Sequence, residues 1–309
     1  MNKKIVFMGT PDFAIPILKS LYQNGFPISV VYTQPPQKSN RGRKINKSPV
    51  HSFSENLNYE IRTPHSLKNN EDEKTFLKNL DPDLVIVVAY GQLIPVEILK
   101  LSKNGFINVH ASLLPKWRGA APIQRSIMNL DKKTGISIMK INEKLDEGPV
   151  YDSYATEIQK NENTQDLSIR LSSLGSNKIV NCVEDIFENK AVFKEQDHKK
   201  ATYAKKIEKN EGKLFWNDTA EKIIGKINGL YPSPGAWFSF GGERHKILKA
   251  ILSNNTGKPG IMLSDSFEIG CAENSIKVLE IQRESKKIQN IKEFMLGTQI
   301  KKGTDLNNA

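Results

Sequence analysis

A doubly wound, mostly parallel α/β sheet followed by a small β-barrel is the fold class predicted by this 309-residue sequence. Three observations predict it. Short apolar runs alternate with helical patterns through the first half, as in a βαβ series. One run, DLVIVVAY at 83–90, is apolar nearly throughout, as a central parallel strand covered on both faces should be. Late in the chain the helical patterns give way to short strand-like runs separated by Gly, Asn and Pro.

The elements follow in order. KIVFMG reads as the first strand. In DFAIPILKSLYQNG, Phe13, Ile17, Leu18 and Leu21 form a helical apolar stripe. Pro16 fits only near a first helical turn, so this helix starts about Asp12, and Gly25 stops it. ISVVYT is a second strand and a helix is expected around 49–57. GFINVH is the strand after DLVIVVAY, and a long helical pattern fills roughly 164–188. The polar text that follows reads as a linker. The division is therefore residues 1–189, a linker at 190–207, and a second domain at 208–309. In that second domain a short helix near 218–229 leads to AWFSF, RHKILKAIL, GIMLS, FEIGC and IKVLEI, an OB-like barrel pattern.

Composition narrows the class. The chain is 38% hydrophobic and 26% charged, with no apolar run of membrane-spanning length. MNKKIVFMGTPDF has two lysines and a short apolar stretch but no small-residue cleavage site, so a strand is preferred to a signal peptide. Cys182 and Cys271 share no metal-like spacing, which argues against a disulfide framework or a zinc site. A cytoplasmic protein is expected. The net charge is +11. From residue 200 onward there are 18 Lys and Arg against 12 Asp and Glu, so the second domain is denser in positive charge. A polyanionic partner such as nucleic acid and a merely lysine-rich solvated surface both fit that balance.

Four stretches can carry chemistry. MGTPDFA opens a helix after the first strand but lacks the second glycine of a dinucleotide fingerprint. A nicotinamide cofactor is disfavoured, and a plain turn capped by Asp12 is the alternative. In INVHASLLPKWRGA, Asn108 and His110 sit two residues apart at a strand end, so their side chains face one volume. That is where ligands bind in open α/β sheets. An Asn amide can donate to a developing oxyanion, and a histidine can polarise the same oxygen or move a proton. INEKLDEGPVY places Asp146 on a turn, either as a partner for His110 or as a solvated residue. TQPPQKSNRGRKINKSP at 33–49 carries Lys38, Arg41, Arg43, Lys44 and Lys47 with no acid, either to close on phosphates or as a solvated loop.

Taken together, GTPDFA, TQP with RGRK and SPV, AYGQLIP, NVHASLLPKWRGAAPIQR, LDEGPV and TYAKKIEKNEGKLFW resemble the methionyl-tRNA formyltransferases over essentially the whole chain. Shorter formyltransferases of purine synthesis are similar to the first domain only. The resemblance implies a formyltransferase-like Rossmann variant, 10-formyltetrahydrofolate as formyl donor, and initiator Met-tRNA as acceptor. It implies a catalytic trio of Asn108, His110 and Asp146, and a folate loop of Ser112, Leu113, Leu114 and Pro115. It also implies a tRNA-contacting loop with Lys38, Arg41, Arg43 and Lys44, in which Arg41 reads the end of the acceptor stem. No metal is implied, and a cytoplasmic monomer is expected. In the implied chemistry the amine attacks the formyl carbon, and Asn108 with His110 stabilises the charge on its oxygen. PQKSN at 36–40 departs from the family pattern, and LGTQIKKGTDLNNA is too plain for contacts to be assigned. Two rivals remain: a folate-dependent formyltransferase for a small amine or sugar nucleotide, and a non-catalytic RNA-binding protein.

Overall fold

The computed structural model describes residues 3–39, 44–298 and 300–307. Its strands in the first two hundred residues are β1 (Ile5–Gly9), β2 (Ile28–Tyr32), the paired β3 (Gln37–Ser39) and β4 (Lys44–Asn46), and β5 (Ile61–Arg62). They continue as β6 (Leu84–Val88), β7 (Phe106–His110), β8 (Arg118–Gly119), β9 (Lys133–Lys140) and β10 (Val150–Glu157). Seven of them form one sheet in the order β10-β9-β7-β6-β1-β2-β5. The pairs β1–β2, β1–β6, β2–β5 and β6–β7 are parallel, whereas β9 runs antiparallel to β7. Order 5-2-1-6-7 along the parallel part is that of a doubly wound sheet, with β1 and β6 at its centre.

Chain contacts divide the molecule into two units. The first comprises residues 1–119, 135–156 and 168–203, the second 120–134, 157–167 and 204–309. In the first, every residue of β1 and β6 is buried, which is why both read as continuous apolar runs. Asp12–Ala14 forms a 3-10 turn that continues into α1 (Ile15–Gln23), with Pro16 in the first turn where its missing N–H costs nothing. Asp12 is not the cap: Pro11 occupies that position, and no side chain caps the turn. Ile17, Leu18 and Leu21 are fully buried, at roughly 1.5–3 kcal/mol each. Gly25 takes a φ of 74°, ending the helix as its lack of Cβ allows. The helices α2 (Pro49–Asn56), α3 (Glu71–Leu80) and α4 (Val96–Leu99) follow.

The second unit contains α5 (Pro122–Met128) and α7 (Ala220–Gly229), between which in sequence comes α6 (Thr164–Phe187). Packing of α5 on α7 needs small residues. A Cβ on Gly225 would lie 2.6 Å from Leu130 Cδ2, and one on Gly229 would lie 3.0 Å from the Gln124 carbonyl. After the two-residue β11 (Tyr203–Ala204) come β12 (Ala236–Phe240), β13 (Glu243–Ser253), β14 (Met262–Ser264), β15 (Glu268–Gly270), β16 (Ser275–Arg283), β17 (Ile288–Asn290) and the short α8 (Ile291–Met295). They form an antiparallel sheet in the order β12-β13-β16-β15-β14, with β17 also on β16. Among the described residues no helix is long and apolar enough to cross a membrane.

His245 on β13 is buried to 4% exposure in this second core, stacked on Phe238 at 5.3 Å and flanked by Phe294. Burial depresses its pKa below the ordinary histidine value. The unfolded chain, with His245 near the ordinary value of about 6.5, therefore binds a proton that the folded chain refuses. The stabilisation is complete above about pH 6.5 and is lost as pH falls below it. The depressed carboxylates Glu243 and Glu268 act below the ordinary carboxylate range and leave this window to the histidine. We expect urea stability, followed by tryptophan fluorescence, to fall between pH 7 and pH 5.5, and the fall to be shallower in His245→Phe. Equal slopes in the two proteins would remove this role.

Candidate active site

Parallel register brings β6 and β7 to an end side by side, with Val87 opposite Asn108. The crevice that doubly wound sheets use for ligands lies along this carboxyl edge, where the winding reverses between β1 and β6. Asn108 and His110 project from β7 two residues apart, so strand alternation alone puts them on one face. The third residue arrives by topology. Asp146 lies on the turn between β9 and β10, and β9 pairs with β7 so that Ser137 faces His110 and Met139 faces Asn108. The turn therefore folds back over the end of β7.

Asn108 Nδ2 lies 3.5 Å from Asp146 Oδ1, and His110 Nδ1 lies 3.6 Å from Asp146 Oδ2. Both exceed the optimum for a strong hydrogen bond, so the carboxylate faces its partners loosely. Its tight partner is the Gly119 backbone N–H, which donates to Oδ2 at 2.8 Å. His110 is held from the other side: Nε2 donates to the Trp117 carbonyl at 2.9 Å, and a carbonyl can only accept. The Nδ1 edge is thereby turned to Asp146. The predicted trio is brought together.

The turn itself is constrained. Asp146 has a φ of 52°, in the left-handed region, a conformation that costs on the order of 1–3 kcal/mol and persists only where the surroundings impose it. A Cβ at Gly148 would run into the Lys140 carbonyl, so only glycine passes there. Behind the turn lies Arg118, 1% exposed. Its Nη1 pairs with Glu147 at 3.1 Å, and Nε and Nη2 donate to Gln196 Oε1 at 3.1 and 2.8 Å. Arg118 Nη2 also donates to His198 Nδ1 at 3.0 Å, which makes that nitrogen an acceptor and not a cation toward Glu147 at 3.8 Å.

The loop predicted to hold folate is fastened by its own polar groups. Ser112 Oγ donates to the Lys116 carbonyl at 2.6 Å, and Lys116 N–H donates to the Leu113 carbonyl at 3.0 Å. The Leu114 N–H donates to Ser137 Oγ at 3.0 Å, while Ser137 Oγ donates to the Ser112 carbonyl at 2.8 Å. The Pro115 carbonyl accepts the Thr202 N–H. Ser112 thus spends its hydroxyl inside the loop, and Ser137 on β9 anchors it. Sequence reasoning missed Ser137, although a serine between isoleucines in a buried strand is a signal. It also missed Gln196, hidden in polar text.

Across the crevice, Thr10 Oγ1 donates to the Tyr90 carbonyl at 2.8 Å, and Gln34 Nε2 donates to the Gly91 carbonyl at 3.0 Å. Thr33 Oγ1 and Ser48 Oγ meet at 2.6 Å, closing the base of the basic loop. Of the predicted tRNA residues, Arg41 and Arg43 lie outside the described residues. In the β3–β4 pair the backbone of Lys38 lies opposite Ile45 and that of Lys44 opposite Ser39. Cys182 and Cys271 are free, and burial pushes each thiol up to about 12. Among the described residues no group of three or more His, Cys, Asp or Glu could hold a metal ion.

Comparison with known proteins adds the family. Residues 3–183 match the profile described as formyl transferase, and residues 206–299 match the formyl transferase C-terminal domain. Methionyl-tRNA formyltransferase of Pelagibacter ubique is 63% identical over 310 residues, covering 100% of both chains. The Ruegeria pomeroyi protein of the same name is 42% identical, over 98% of this chain and 100% of its own. Among solved structures, an N-formyltransferase from Helicobacter canadensis in complex with folinic acid and dTDP-3-aminofucose superposes with a TM-score of 0.69. That match covers 90% of this chain and 99% of the other at 20% identity, a likeness of fold. Two formyl transferase profiles in tandem and a relative 63% identical from end to end establish that this chain belongs to the methionyl-tRNA formyltransferases.

Proposed function

We propose that this protein transfers the formyl group of 10-formyltetrahydrofolate to the α-amine of methionine on initiator Met-tRNA. The observation that carries the reading is convergence: Asp146, 38 residues beyond Asn108, returns to face both Asn108 and His110 at the end of β7. A donor, an imidazole and an orienting carboxylate are the groups that formyl transfer to an amine requires. Asn108 Nδ2 donates to the formyl oxygen as charge develops there. With Nε2–H committed to the Trp117 carbonyl, the Nδ1 edge of His110 is the one that exchanges a proton, and Asp146 orients it. The fastened loop from Ser112 to Pro115, with Leu113 and Leu114 between, receives the folate. Residues 1–189 form the catalytic domain, 190–207 the linker and 208–309 the tRNA-binding domain, acting as a cytoplasmic monomer.

A sugar-nucleotide acceptor, such as the one bound by the Helicobacter N-formyltransferase, is the alternative. Full-length identity to relatives named for the tRNA reaction favours tRNA, as does the positive surplus of the second domain. The deciding assay offers the folate donor with charged initiator tRNA or with amino-sugar nucleotides. Formylation of the tRNA alone is expected.

Asn108→Ala removes a donor whose worth is realised only when charge develops. Turnover should fall by about 10²–10³, near 2.7–4 kcal/mol, with unchanged tRNA affinity. A loss divided equally between binding and turnover would assign Asn108 to binding.

The basic loop supplies a second test. Lys38, Arg43 and Lys44 contact phosphates and Arg41 reads the acceptor end. Lys38→Ala should weaken initiator and elongator methionine tRNAs alike and lower the salt slope by about one unit. Arg41→Ala should change the ratio between the two tRNAs. Parallel losses at every salt concentration would reduce Arg41 to a charge.

A further inference from the structure

We propose that Gln196 is a positioning residue for the reaction, oriented by Arg118 to hold the backbone of the Asp146 turn. This rests on the formyl-transfer reading above and adds to it a residue far from Asp146 in sequence. Gln196 is 8% exposed and every hydrogen-bonding site of its carboxamide is used. Oε1 accepts from Arg118 Nε and Nη2 at 3.1 and 2.8 Å, and Nε2 donates to the carbonyls of Asp146 at 2.9 Å and Gly148 at 2.7 Å. The amide cannot turn over. The reverse orientation would set its NH₂ against the guanidinium and its oxygen against two carbonyls.

The grip matters because of where it falls. It brackets the left-handed φ of Asp146 and reaches Gly148, where the chain touches the Lys140 carbonyl. On the far side of the same residue, Gly119 N–H holds the carboxylate. Asp146 is thus fixed at both its backbone and its side chain, while Asn108 and His110 stand at 3.5 and 3.6 Å. At those distances a displacement of the turn by about half an ångström decides whether the trio closes. The positioning is indirect: the hydrogen bonds of Gln196 go to Arg118 and to the backbone of the turn.

The test uses the full-length protein with Gln196→Met and Gln196→Glu. The second keeps a carboxylate oxygen against Arg118, which preserves that contact, but removes both donors to the turn. Each variant should lower kcat on Met-tRNA by about 10–100-fold, with KM for tRNA and folate within about threefold of wild type. The kcat–pH profile should also change shape, because the His110–Asp146 pair is disturbed. Other charged groups around this pair are Glu147, Arg118 and His198 behind the turn and Lys144 upon it. A substrate-free readout is the imidazole NMR titration of His110, one of 5 histidines, assigned with His110→Gln. It should move in both variants. An inactive wild type with a shifted His110 titration would overturn the formyl-transfer reading and leave the positioning standing. Wild-type kcat and an unmoved titration in Gln196→Glu would overturn the positioning. Lowered thermal stability with an unchanged profile and titration would make Gln196 structural only.

Discussion

The Gly119 amide donates to Asp146 Oδ2 at 2.8 Å, and the arrangement of the site depends on that bond. A strand end supplies Asn108 and His110 without further expense, because alternation aims them together. The acid has no such support. It sits on a turn with a φ of 52°, a conformation that a non-glycine residue keeps only where its surroundings impose it. Gly119 ties the carboxylate while the β9–β10 pair carries the turn back over β7. The contacts of the carboxylate with the amide of Asn108 and the imidazole of His110, at 3.5 and 3.6 Å, are too long to hold it in place of that bond.

Much of the first unit was legible because its signals are local. The apolar runs at β1, β6 and β7 read as buried parallel strands, and α1 ended at Gly25 where a left-handed residue was needed. Asn108 and His110 were legible for the same reason, since a period of two needs no tertiary information. What escaped was long-range. The burial of Arg118 leaves no mark in PKWRGAA, since charge is ordinarily a sign of exposure. Gln196 stands in EQDHKK, text that reads as a solvated linker, yet it is buried against the turn. Neither hydrophobic periodicity nor turn chemistry reports a polar side chain that pairs with backbone 48 or 50 residues away.

The second unit makes a related point about boundaries. By contacts it includes residues 120–134, well ahead of the polar stretch at 190–207. Gly225 and Gly229 explain why: they bring α7 against α5 closely enough that added methyl groups would meet Leu130 and the Gln124 carbonyl. Two glycines four residues apart are poor helix formers, and within a helical pattern they weigh against it. Their purpose appears only once α5 is placed beside them. Covalent order and packing order therefore diverge at α5.

Trp117, Arg118 and Gly119 draw these threads together. The Trp117 carbonyl takes His110 Nε2–H, the Arg118 guanidinium orients the amide beneath Asp146, and the Gly119 N–H takes the Asp146 carboxylate. Successive residues thus act through a carbonyl, a side chain and an amide hydrogen. Such alternation needs unusual backbone, and Trp117 and Gly119 have φ values of 59° and 118°. The segment is itself pinned, because the Trp117 N–H donates to Thr202 Oγ1 and the Arg118 N–H to the Thr202 carbonyl, both at 2.9 Å. Its position is therefore set by the 196–202 stretch as much as by β7. The imidazole and the carboxylate are each hydrogen-bonded to one short support, so a shift of that support is felt by both at once. Asn108 and His110 are both fixed to β7, so the Asp146 carboxylate is the member whose distance to the other two would change.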